Sequence, residues 1–160
     1  MIEPPGAGSI LVIGYGNELG ADDGAGRAVA ERLAADDRLA GCRIESVRQL
    51  TPDLALDVAE ATFVVFVDAT IDRPAGEIAV GPPAGEAAAS PFSHHVRPGA
   101  LLALAASLYG AAPEAVVVGI GASTLELGEP PSQAVRAAIP VAVDTVARLV
   151  AARLPAGPRP

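Results

Sequence analysis

The chain has 160 residues, enough for one domain with a full core and too few for two ordinary ones. Its formal charge of −8 and pI near 4.6 exclude the basic surfaces that nucleic acid or an anionic membrane requires. All 11 basic residues are Arg, which removes Schiff-base chemistry and a P-loop lysine as well.

Hydrophobic residues make up 51% of the chain and aromatics 3%, so the core is built from Ala, Val, Leu and Ile, which suits helices packed closely on a sheet. Cys42 is the only cysteine, so there is no internal disulfide and no cysteine zinc cage, and it reads as a small buried hydrophobe. The N-terminal MIEPPGAGS lacks a basic signal region, and no apolar stretch approaches membrane-spanning length without Pro, Gly or charge. The expectation is a cytoplasmic protein with no nucleic-acid or membrane partner.

Ile10-Leu11-Val12-Ile13 is a continuous apolar run, the pattern of a strand buried on both faces, and it stops at Gly14-Tyr15-Gly16. Asp22-Asp23-Gly24 then leads into Ala28, Val29, Ala30 and Leu33, interspersed with Arg27, Glu31 and Arg32, as an amphipathic helix with acids at its start. A glycine-rich turn between strand and helix suggests a dinucleotide site. However, Leu19 stands where the third glycine belongs, and Asp22 and Asp23 put negative charge where a pyrophosphate would sit. Cation binding fits better, because the helix dipole stabilises the ionised carboxylate that a metal ligand must be. The pair reads equally well as an N-cap, Asp22, followed by a solvated first-turn acid, Asp23. Adjacent helical residues point about 100° apart, so at most one of the two faces a given site squarely.

Cys42 to Val47 alternates as a second, partly exposed strand near a sheet edge. Thr51-Pro52-Asp53 offers an N-cap, a proline at the first helical position and a first-turn acid for a helix through Ala59. Phe63 to Val67 is the most apolar run and reads as a central parallel strand ending at Asp68, the place where functional groups gather in open α/β sheets. Asp68 can also be read as a turn residue that merely ends the strand. After the turn Pro74-Ala75-Gly76, Glu77 to Val80 forms a short strand with no room for a crossover helix, so it runs antiparallel.

Gly81 to Phe92 is a loop rich in Pro, Gly and Ala. It leads to the only histidines, His94 and His95, ahead of Pro98-Gly99 and a helix from Ala100 to Tyr109. Ala115 to Ile120 is another buried strand, and Gly121 to Pro131 a loop carrying Glu126 and Glu129. Ser132 to Leu154 is helical, with Pro140 expected to kink or split it, and the tail PAGPRP is expected to be flexible. The whole is one domain over residues 1–160 with an ordered core of about 9–154.

An acid after the first strand, an acid after the third and a histidine before a later helix make an open metal site. Two carboxylates and an imidazole leave positions for water or substrate, and such mixed ligation suits nickel, zinc or manganese without choosing between them.

These features resemble the [NiFe]-hydrogenase maturation proteases, endopeptidases that trim a C-terminal peptide from the hydrogenase large-subunit precursor after nickel insertion. The most specific element is Gly14-Tyr15-Gly16-Asn17-Glu18-Leu19 with Asp22-Asp23-Gly24-Ala25-Gly26, similar to the family's G-x-G-N-x-L-x-x-D-[DE]-x-x-G. Val67-Asp68-Ala69, Ser93-His94-His95 and Val118-Gly119-Ile120 match as well.

The resemblance implies an α/β fold, a three-layer α/β/α sandwich with a five-stranded, mostly parallel sheet whose fourth strand is antiparallel. It also implies that Asp23, Asp68 and His95 are the metal-binding and catalytic positions. Gly14, Gly16, Asn17, Asp22, Thr51 and His94 then support the loops and the substrate. The implied metal is nickel supplied by the precursor, with zinc or cadmium as a surrogate. One departure stands out: where the family often carries D-G-G-T-x-G, a segment linked to substrate choice, this chain has Arg48-Gln49-Leu50-Thr51-Pro52-Asp53, and only Thr51 lines up.

The chain contains no H-E-x-x-H, G-x-S-x-G or Cys/His pair, which leaves metal or acid chemistry. Either the substrate's nickel bridges to the three ligands and a polarised water attacks the peptide, or the carboxylates act as general base and the metal serves recognition alone. A non-catalytic nickel metallochaperone using the same ligands is the alternative from another class. A nucleotide-binding module stands last.

Overall fold

The computed structural model describes residues 9–83 and 96–154. Five strands form one sheet: β1 (Ile10–Tyr15), β2 (Arg43–Val47), β3 (Phe63–Thr70), β4 (Ile78–Gly81) and β5 (Glu114–Gly121), in the order β2-β1-β3-β5-β4. All pairings are parallel except β4 with β5, so the short strand after Pro74-Ala75-Gly76 is antiparallel, as its missing crossover requires. Helices α1 (Ala25–Ala34) and α4 (Gln133–Ala151) cover one face, and α2 (Ala55–Glu60) and α3 (Pro98–Tyr109) the other. The architecture is the three-layer α/β/α sandwich expected.

Strand periodicity divides the core in two. On β1 and β3, Ile10, Val12, Phe63, Val65 and Val67 face α1 and α4, where they meet Val29, Leu33, Ile139 and Val146. Leu11, Ile13, Val64 and Phe66 face the other way and pack on Leu54, Val58, Leu101 and Ala105. Since Phe63 through Val67 is buried on both faces, β3 is the hydrophobic spine of the sheet.

Several local readings shift. β1 runs on through Gly14 to Tyr15, because both residues still pair with Ser46 and Val47 of β2. Asp68 lies inside β3, opposite Gly119 of β5, and the strand ends two residues later at Thr70. The strand assigned to Cys42–Val47 begins at Arg43 and is a true edge, and Cys42 is half-buried against the α1/α4 core rather than fully enclosed. Pro140 does not split the last helix. Its ring lies on the exposed side of α4, while Val135, Ala138, Ile139, Ala142, Val143 and Val146 are clamped on the sheet, and that burial outweighs one lost backbone bond.

α1 sits unusually close to the sheet. A Cβ on Gly26 would overlap the carbonyl oxygen of Val67, and one on Gly14 would overlap that of Gly26. The glycines of this segment therefore serve helix–sheet approach, which explains a glycine-rich turn that carries no phosphate chemistry. Among the described residues no helix is long and apolar enough to cross a membrane. The tail 155–160, expected to be flexible, lies outside the described residues.

Candidate active site

The register of the sheet builds the site. Gly14 pairs with Val67, so Tyr15 and Asp68 follow as neighbours at the carboxyl ends of β1 and β3. They continue the column of Ile13 and Phe66 on the α2/α3 face, and Gly119 on β5 completes the row. A crevice of about 960 Å³ opens there, with Tyr15, Asp23, Arg48, Asp68, Arg97 and Gly119 among its walls. A Cβ at Gly119 would meet Thr70 and Ala79 only at ordinary contact distance, so packing alone does not demand glycine there.

Asp23 reaches the same crevice by a different route. Between β1 and α1 the chain makes a 3-10 turn, Ala21–Gly24, entered through Ala21 at φ 50°, a left-handed conformation that a non-glycine residue rarely adopts. The Asn17 backbone N–H donates to Asp23 Oδ2 at 2.8 Å, and Asn17 Oδ1 accepts from the Leu19 N–H at 3.0 Å. Gly16 has φ 145°, and a Cβ there would overlap the Asp23 carbonyl oxygen, so only glycine lets the loop fold back this tightly.

Asp22 points the other way and is fully buried. Its Oδ1 accepts from the Ser132 N–H at 2.6 Å, and its Oδ2 from the Ser123 N–H at 2.8 Å and the Ser132 hydroxyl at 2.9 Å. The Ser123 hydroxyl and the Thr124 N–H add to these. Burial alone would raise its pKa, but these donors outweigh it and hold the carboxyl below its ordinary value. Asp22 is thus neither helix N-cap nor crevice ligand. It ties the turn to the loop after β5 and to Ser132, which itself caps α4 by accepting from the Val135 N–H.

The electrostatics of Asp68 differ sharply. Burial pushes its pKa up to about 7, against the stabilising Tyr15 hydroxyl beside it, while the negative charge of Asp23 raises it further. The Ala69 N–H and the charge of Arg97 pull it back down. Tyr15 in turn is driven well above the normal phenol range, first by burial and then by Asp68, so it stays a hydrogen-bond donor.

No family model matches the chain, and no curated protein sequence does. Solved structures do. The [NiFe] hydrogenase maturation protease HycI from Thermococcus kodakarensis KOD1 is 24% identical with a TM-score of 0.72, covering 91% of this chain and 94% of that one. The hydrogenase maturating endopeptidase HybD from E. coli is 22% identical with a TM-score of 0.70, covering 90% and 93%. The [NiFe] hydrogenase maturation protease HybD from Thermococcus kodakarensis is 27% identical with a TM-score of 0.64, covering 89% and 99%. The chain is a structural relative of the [NiFe]-hydrogenase maturation proteases.

In this maturation-protease relative the sheet brings Asp23 and Asp68, 45 positions apart in sequence, to one crevice. His94 and His95 lie outside the described residues, and among the described residues no three His, Cys, Asp or Glu side chains cluster as a metal site. The two carboxylates nevertheless suit a divalent ion: each is anionic when ionised, and each has its own orienting partner, the Asn17 N–H for Asp23 and Tyr15 for Asp68. Thr51 occupies the N-cap position before Pro52 but makes no side-chain cap bond, and Arg48, Gln49 and Leu50 form the crevice wall there instead. Tyr15, Arg48 and Arg97 were not singled out from sequence. Extending the β1/β3 register by one residue would have found Tyr15.

Two stability predictions follow from these opposed carboxylates. Asp22→Asn turns an amide N–H₂ toward a backbone N–H, which can only donate, whichever way the amide is set, and should cost about 2–4 kcal/mol, read as a lower urea midpoint with an unchanged slope. A midpoint equal to wild type would show that the clamp carries no weight.

Asp68 has the opposite sign. A carboxyl whose folded pKa is raised to about 7 keeps a proton that the unfolded chain releases near pH 4, so it lowers stability progressively across that window. Asp68→Asn should therefore stabilise the metal-free protein by about 1 kcal/mol or more near pH 8, and change it little near pH 4. Urea titrations at both pH values test this, and a loss of stability at the higher pH would contradict it.

Proposed function

We propose that the chain is an endopeptidase that removes the C-terminal peptide of a nickel-loaded [NiFe]-hydrogenase large-subunit precursor. The observation that carries this reading is the convergence of Asp23 and Asp68 at the carboxyl ends of β1 and β3, in a fold matched along nearly its whole length by hydrogenase maturation endopeptidases. In this reading Asp23, Asp68 and His95 hold the precursor's own nickel, with zinc or cadmium as a surrogate. The ion thereby reports that the precursor is loaded and fixes the scissile peptide in the crevice.

The roles of the chain's own groups follow from their settings. Asp23, held through one oxygen by the Asn17 N–H, keeps the other for the ion. Asp68, in the less polar position, is the better proton acceptor and takes the proton of the attacking water as general base. Tyr15 keeps the Asp68 carboxyl aimed and donates a hydrogen bond without losing its own proton. The negative charge developing on the peptide oxygen is stabilised by the precursor's nickel. In this reading the enzyme is a metal-dependent, aspartic-type hydrolase working in the cytoplasm.

A nickel metallochaperone would use the same ligands, and the product separates the two readings, since only the protease shortens the precursor. Asp23→Asn and Asp68→Asn should each lower processing about a hundredfold or more while the fold survives. His95→Ala should abolish both metal binding and processing, and His94→Ala should keep most of each. The measurement is mass spectrometry of nickel-loaded precursor after incubation, alongside zinc titration of each variant. Processing by His95→Ala at the wild-type rate would remove the three-ligand site.

A further inference from the structure

The crevice contains two positive charges that the hydrolytic reading leaves unused. Arg48 follows the edge strand β2, and Arg97 stands at the N-cap of α3, so the two guanidiniums reach the crevice from different elements. Both residues are exposed, and neither makes an ion pair with a described residue. Many surface arginines here are held by acids, as in Arg38 with Asp36, Arg43 with Asp57, and Arg73 with Glu77. Arg97 is near enough to Asp68 and Tyr15 for its charge to act on both, so it belongs to the inner part of the crevice.

Among the described residues the charged walls are thus Asp23 and Asp68 against Arg48 and Arg97, two acids against two bases in a protein of formal charge −8. A divalent ion carried in by the substrate would cancel the two carboxylates and leave two guanidiniums to be matched. Planar guanidiniums match carboxylates through paired hydrogen bonds, and elsewhere the acidic surface repels an acidic chain. We propose that Arg48 and Arg97 form a carboxylate-reading subsite that selects an acidic peptide segment for the crevice. This rests on the reading of the crevice as a peptide site and adds the chemistry of the peptide it takes. The carboxylate is that of an Asp or Glu side chain or of the free chain terminus.

Fluorescence anisotropy with three labelled host peptides of Ala and Gly tests it: one with two adjacent aspartates and an amidated end, one with two asparagines and an amidated end, and one with two asparagines and a free carboxylate. At low salt and with zinc present to occupy the two carboxylates, the first or third probe should bind the full-length protein about three- to tenfold more tightly than the neutral one, and which of them does so identifies the source of the carboxylate. R48Q and R97Q should each lose most of that preference, R48K should keep part of it, and 0.5 M salt should erase it, on the order expected for exposed charge pairs. Matching thermal midpoints would establish that the variants are folded. No preference for either anionic probe, or a preference that survives in R48Q/R97Q, overturns the subsite.

The precursor assay separates this outcome from the protease reading. If wild type cleaves and R48Q/R97Q cleaves with an unchanged KM, the subsite is wrong and the protease stands. If wild type never cleaves yet binds an anionic probe through the two arginines, the subsite stands without the protease.

Discussion

Five hydrogen bonds converge on the buried carboxylate of Asp22, and the geometry of the crevice depends on them. They fasten the 3-10 turn after β1 to the loop after β5 and to the first residue before α4, elements 101 to 110 positions away in sequence. With Asp22 turned inward and held, the next residue in the turn is directed to the other side. Asp23 therefore faces the crevice as a consequence of what Asp22 does. The backbone conformation of Ala21 and the close return at Gly16 are the local costs of that arrangement, and the buried hydrogen bonds offset them.

The second acid is placed by the sheet. Asp68 continues an alternation that puts Val64 and Phe66 into the α2/α3 core, so the periodicity that builds a hydrophobic column also delivers a carboxyl to its end. The two aspartates thus sit in contrasting settings: Asp23 is on a hydrogen-bonded loop, while Asp68 is partly desolvated beside Tyr15. That contrast raises the proton affinity of Asp68 toward neutrality, while Asp23 is fixed by the hydrogen bond from the Asn17 N–H. It also makes the site a source of instability in the metal-free protein, which a bound cation would relieve.

Much of this was legible in the residues. Continuous apolar runs located β1, β3 and β5, and the short spacing before β4 required an antiparallel strand. The 100° rule separated Asp22 from Asp23 in principle, but the direction each takes was not written locally. Asp22's partners, Ser123 in the loop after β5 and Ser132 at the N-cap of α4, lie more than 100 positions away, and nothing in the sequence around them marks them as facing that carboxylate. The split expected at Pro140 is absent because helix propensity is local, whereas the apolar face holding α4 to the sheet is tertiary. Arg48 and Arg97 gave no pattern, since they meet only across a crevice made by β2, β3 and α3.

The central claim is that two aspartates and a histidine bind one divalent ion at the end of the sheet. X-ray absorption at the metal edge of the zinc-loaded protein tests this most directly, because carboxylate oxygen, imidazole nitrogen and thiolate sulfur scatter differently. The account predicts a shell of light atoms with one imidazole, lost in His95→Ala and altered in both Asp23→Asn and Asp68→Asn. A sulfur from Cys42, or a spectrum identical in all three variants and wild type, would contradict it.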